Sequence, residues 1–142
     1  MTYKEWTAAV QLTGAVLIAA WAAFNVLGDE ARTVAGAAMA LVWAIGVVIV
    51  YNIVAMILVT IAVSIANGGQ ELKDERADER DKAVAARSMR NAYVVVSVGG
   101  ALTLALLAFG FPPVTGIHVL FATLMLGGAT DALSRLVYYR LG

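Results

Sequence analysis

Asp131 is the only charged residue set inside an apolar stretch of this chain. A carboxylate in hydrocarbon is costly, and the default reading of one is a group that binds or passes on a proton or cation. Arg135 follows four positions later. On a helix an acid four residues before a base forms a local ion pair. Two chemistries therefore compete here: a silent pair near the membrane edge, or a coupling group for transport with Asn52 lining the path.

The second concentration of chemistry is the repeat Asp74-Glu75-Arg76-Ala77 and Asp78-Glu79-Arg80-Asp81. A four-residue repeat on a helix stacks like charges one turn apart, and each such pair is mildly destabilising. Lys82 compensates only in part, through Asp78 and Glu79. Three uses are open: a solvated helix face, a charged surface that pairs with another subunit or a partner protein, and a carboxylate metal site. The interleaved arginines already neutralise the acids and argue against a metal. Glu75, Arg76, Asp78, Glu79 and Arg80 are the residues a protein contact would use.

His118 is the single histidine and lies after Pro112-Pro113, with no cysteine in the chain to join it in a metal site. Placement at the membrane interface is the simpler reading. Nothing resembles a catalytic triad, a phosphate loop or a zinc helix. The residues give no reason to expect an enzyme, a metal or a cofactor.

The elements that hold these residues are apolar. Of 142 residues, 61% are hydrophobic and 14% charged. A soluble domain of that size could not hide so much apolar surface, so the surrounding solvent must be lipid. A spanning helix needs about 20 apolar residues. The fold class expected is all-α: a polytopic membrane protein forming one domain, 1–142. Its four transmembrane helices cover about 6–27, 33–66, 91–110 and 117–139. On the first, Ala15, Ala19 and Ala23 suggest a small-residue ridge for a close neighbour. Gln11, Thr13 and Asn25 read as helix–helix polar contacts. On the third and fourth, Gly99-Gly100 and Gly127-Gly128 mark close packing. The net charge is zero, which gives no electrostatic reason to expect nucleic acid.

The segment 33–66 is too long. As a helix it measures about 50 Å, against a hydrocarbon core of about 30 Å. It must break near Gly46 or project. Tyr51 and Asn52 suit an interface, which implies a cytoplasmic extension from about 52. Asn67-Gly68-Gly69 then stops the helix, and a charged helix over 70–90 leads into the third span. The expected product is a cytoplasmic helical hairpin extending helices 2 and 3, with Met56–Ala66 on one arm and about 71–83 on the other. Met56–Ala66 is apolar nearly all round, so one charged helix cannot cover it in water. Copies of the chain would bury these arms together, with Ile61 and Ile65 at the seam.

Lys4, six hairpin bases, Arg135 and Arg140 fall on one side and only Arg32 on the other. That asymmetry puts the hairpin and both termini in the cytoplasm of a prokaryotic inner membrane. The partners expected are lipid, the chain itself and a cytoplasmic protein. The preferred function is a non-enzymatic, homo-oligomeric scaffold or accessory subunit acting through its hairpin. The alternative is a small solute or ion transporter or channel using Asp131.

Residues 78–104, DERDKAVAARSMRNAYVVVSVGGALTL, resemble a segment in a family of small prokaryotic four-span membrane proteins. There an Asp-Glu-Arg motif and an Ala-containing helix lead directly into the third span. Asp78, Glu79, Arg80 and Ala85/Ala86 are the matching positions. The resemblance implies the four-span layout and carries no activity with it. Length and layout are also similar to small multidrug transporters. Those have an essential Glu in the first span, whereas this first span has no acid after Glu5.

Overall fold

The computed structural model describes residues 3–26, 33–66 and 79–141. They form four α-helices: α1 (Tyr3–Val26), α2 (Val34–Ala66), α3 (Glu79–Ala108) and α4 (Pro113–Leu141). All four are long and apolar enough to cross a membrane. The protein is therefore an all-α bundle with the dimensions of a multi-pass membrane protein.

Local chemistry sets the described helix ends. Thr33 caps α2, its Oγ1 accepting from the Gly36 N–H at 3.1 Å. At the end of α3, Gly110 adopts a positive φ of 83°. Its N–H donates to the Leu107 carbonyl and that of Phe111 to the Leu106 carbonyl, both at 3.1 Å. This two-bond closure needs a left-handed residue, and glycine reaches that conformation without a Cβ penalty. α4 then starts at Pro113, earlier than the expected residue 117. Proline suits the first helical position, because its missing N–H would have no partner there anyway.

α2 runs for 33 residues without interruption through Gly46. A Cβ at Gly46 would meet nothing, so this glycine is neither a break nor a packing point. The length expected from the sequence is thus present as one rod of about 50 Å.

α4 is the hub and packs on each of the other three helices; α1 also packs on α2. The seam of α3 with α4 is closed by glycine. A Cβ at Gly99 would collide with the Thr123 side chain, and one at Gly127 with Val96. Asn91 adds a polar lock, donating through Nδ2 to Ser134 Oγ at 3.2 Å and Tyr138 Oη at 3.0 Å. A second centre joins the other three helices: Ala22 of α1, Leu41 and Ala44 of α2, and Phe121 of α4. On α1 the buried alanines are Ala8 and Ala22, while Ala23 of the expected ridge is exposed.

Among the described residues α2 and α3 share no packing comparable to these interfaces, so no described part of α3 runs along Met56–Ala66. The small residues explain this, since those of α3 face α4 and Ala44 of α2 faces α1 and α4. Residues 67–78, which would close a hairpin, lie outside the described residues. The stretch of α2 after Asn52 has α1 beside it. Gly14 meets the Tyr51 ring, at 2.7 Å from where a Cβ would stand. Two antiparallel helices with equal rise then bring Tyr3, the first residue of α1, level with about residue 62. α1 accompanies α2 well past Asn52, and only about the last turn outruns it.

Candidate functional site: a polar cavity between three helices

One face of each of three helices meets at a cavity of about 310 Å³. α1 supplies Gln11 and Ala15, α2 supplies Val48 and Asn52, and α4 supplies Leu124, Met125, Gly128 and Asp131. Each set follows helical spacing of three, four or seven, which puts its members on one face. Asn52 and Asp131 are remote in sequence and level in space, because α2 and α4 both run antiparallel to α1. Asp131 lies about 15 Å along the axis from the end of α4, and Asn52 about 21 Å from the end of α2. The cavity thus lies far from the helix ends and is open along its side, where Leu124 and Gly128 are exposed.

The hydrogen bonds at this wall are incomplete. Asn52 Nδ2 donates to the carbonyl of Val48, one turn back in its own helix, at 2.9 Å. That bond fixes the amide and turns Oδ1 away from its own backbone. Asp131 Oδ2 accepts from Arg135 Nη2 at 2.9 Å, so the expected local pair is formed. Among the described residues, the buried side-chain atoms left without a hydrogen-bond partner are Asn52 Oδ1, Asp131 Oδ1 and Arg135 Nε. All three belong to this one cluster. A buried polar atom without a partner costs about 1–3 kcal/mol, so three together mark a place that something else completes.

The other candidates are dispersed. Glu75, Arg76 and Asp78 lie outside the described residues. Glu79 and Arg80 open α3 and are exposed, with Lys82 3.5 Å from Glu79 in a surface pair. Ile61 and Ile65 are 51% and 73% exposed. His118 spends Nδ1 on the carbonyl of Val114 in its own helix, at 2.8 Å. Glu5, in the first turn of α1, is 13% exposed and stands 3.8 Å from Arg140 of α4.

The structure thus brings together Asn52, Asp131 and Arg135, and among the described residues Glu79, Arg80, Ile61 and Ile65 are all exposed. Sequence reasoning gave Gln11 only a packing role, although it lines the same cavity. The one signal available was its polarity on an apolar span. Chemically, the site offers one paired carboxylate and two amides set in apolar walls, a binding arrangement without a nucleophile–base pair.

These features define a class, a four-helix chain of membrane-spanning length with a polar cavity between three of its helices. No family model, curated protein or solved structure matches the chain.

Proposed function

We propose that the protein is a non-enzymatic carrier of a small solute or ion. It would sit in a prokaryotic inner membrane with both termini on the cytoplasmic side. One observation carries this reading: Asn52 and Asp131, from different helices, line one cavity between α1, α2 and α4, and each keeps a buried oxygen without a partner. In lipid an unsatisfied carboxylate oxygen is held at a cost, and a cargo or coupling ion that completes it accounts for that cost. The Lys and Arg asymmetry supports the orientation.

The mechanism follows from unequal packing. α3 and α4 are locked by Gly99, Gly127 and Asn91, and serve as the fixed wall. The buried residues of α2 are Ala37, Leu41 and Ala44, all in its first third. The part carrying Asn52 is held less firmly and is the element that would swing to open the cavity. The test is flux in proteoliposomes challenged with monovalent cations and small amines. Asp131→Asn should abolish the flux and leave the oligomeric mass unchanged; full flux in that variant rejects the reading.

A second reading is favoured by α2, a homo-oligomeric scaffold. Most of its 33 residues are exposed, including Ile61 and Ile65. In that case the surface of Glu75, Arg76, Asp78, Glu79 and Arg80 would touch itself or a cytoplasmic protein. Single cysteines at Ile61 and Ile65 should then crosslink between copies, and Asp131→Asn should change nothing.

A further inference from the structure

The unpartnered atoms specify the chemistry of what the cavity takes. Asn52 has spent its donor on Val48, and Asp131 has spent one oxygen on Arg135. What remains on these two cavity-lining residues is a pair of acceptors, one amide oxygen and one carboxylate oxygen. Arg135 Nε is the unpartnered donor of the cluster and does not line the cavity, so an occupant that completes the two cavity oxygens must bring N–H or O–H donors or a positive charge. Val48, Leu124 and Met125 make the remaining wall apolar. A divalent ion such as Ca²⁺ takes about 6–8 oxygen ligands, more than three polar side chains supply. The volume, about 310 Å³, is at the lower limit of ligand sites, which suits a small molecule.

We infer that the cavity binds a small organic ammonium ion. Its N–H groups satisfy Asn52 Oδ1 and Asp131 Oδ1, and its hydrocarbon part rests on Val48, Leu124 and Met125. Arg135 is 32% exposed and can let its guanidinium move toward the membrane surface as the ammonium takes its place at Asp131. The inference deepens the carrier reading and rests on the same cavity.

Gly128 gives a clean test. It lines the cavity, and a Cβ there would meet nothing within 4 Å. A side chain grown from it takes up cavity space without pushing helices apart. Purified protein in nanodiscs is titrated with n-butylammonium, and with n-butanol, butyrate and Na⁺ as controls. Saturable binding of n-butylammonium is expected. Loss of the charge in Asp131→Asn should weaken it by at least about tenfold, the scale of one charge-assisted hydrogen bond. Gly128→Leu should abolish it with the melting temperature unchanged. Asn52→Leu should weaken it as a second, independent variant. Equal binding of n-butanol, preference for butyrate, binding of Na⁺ alone, or full affinity in Gly128→Leu overturns the inference. The two proposals fail separately. n-Butylammonium binding without flux of any probe rejects the carrier reading alone, and Asp131-dependent flux of Na⁺ without n-butylammonium binding rejects the ammonium ion alone.

Discussion

Gly127 and Gly128 are neighbours on α4 and face opposite worlds. Gly127 is buried against Val96 of α3, where a Cβ would collide with the valine side chain at 2.5 Å. Gly128 opens on the cavity, where a Cβ meets nothing. The two sides of α4 differ in the same sense throughout. On the α3 side, Thr103 and Thr123 return their hydroxyls to Gly99 and Val119 in their own helices, and Asn91 serves both Ser134 and Tyr138. On the α1–α2 side, Asn52 and Asp131 each keep an unpartnered oxygen. One side of α4 is finished as structure, and the other is left with groups to offer. A membrane bundle gains little from burying one apolar surface against another, so close packing and complete hydrogen bonding are what hold it together. Where both are missing at a polar site between helices, function is the economical explanation.

The largest effect that sharpens this contrast is at the finished side. Gly99→Val should destabilise the bundle by about 3 kcal/mol, because Thr123 has no room to yield. Thermal unfolding in detergent reads this directly, and an unchanged melting temperature would break the contrast. Asn91→Leu comes next. It removes the donor shared by Ser134 and Tyr138 and should cost about 1 kcal/mol, near the measured range for polar contacts between membrane helices. Gly128→Ala should do the reverse of Gly99→Val. It gains about 0.5 kcal/mol from lost backbone entropy in the unfolded chain and meets no obstruction. The smallest effect is at Lys82 and Glu79, 65% and 93% exposed. Lys82→Ala should leave stability unchanged, as expected of a surface pair screened by water.

The sequence made the spans legible because length and apolar content are set by the bilayer. The Asp131–Arg135 pair was legible because it is local to one helix turn. The partners of each helix were not. In water a helix shows which face it buries, since the other face is polar. In lipid both faces are apolar, so nothing along α2 distinguishes Leu41, buried at 5% exposure, from Val42 at 62%. The same loss of signal put Ala23, which is exposed, on the ridge expected with Ala15 and Ala19. Tyr51 and Asn52 look like interface residues one at a time. Only the register against Gly14 shows that they pack on α1, with Asn52 lining the same cavity as Asp131. The charged repeat gave the opposite case, with conspicuous chemistry of which only Glu79, Arg80 and the residues after them belong to the described helix.

The central claim is that water and cargo reach the cavity at Gly128. The chain has no native cysteine, so a single introduced thiol reports cleanly. Thiols react as thiolates, which form in water and not in hydrocarbon. Gly128→Cys is compared with Gly100→Cys, an equally uncrowded position on α3 that does not line the cavity. Both are treated with a membrane-impermeant methanethiosulfonate in proteoliposomes. Labelling of Gly128→Cys, slowed by n-butylammonium, together with an inert Gly100→Cys, is the result expected. Two equally inert thiols would show a dry interior and contradict the account.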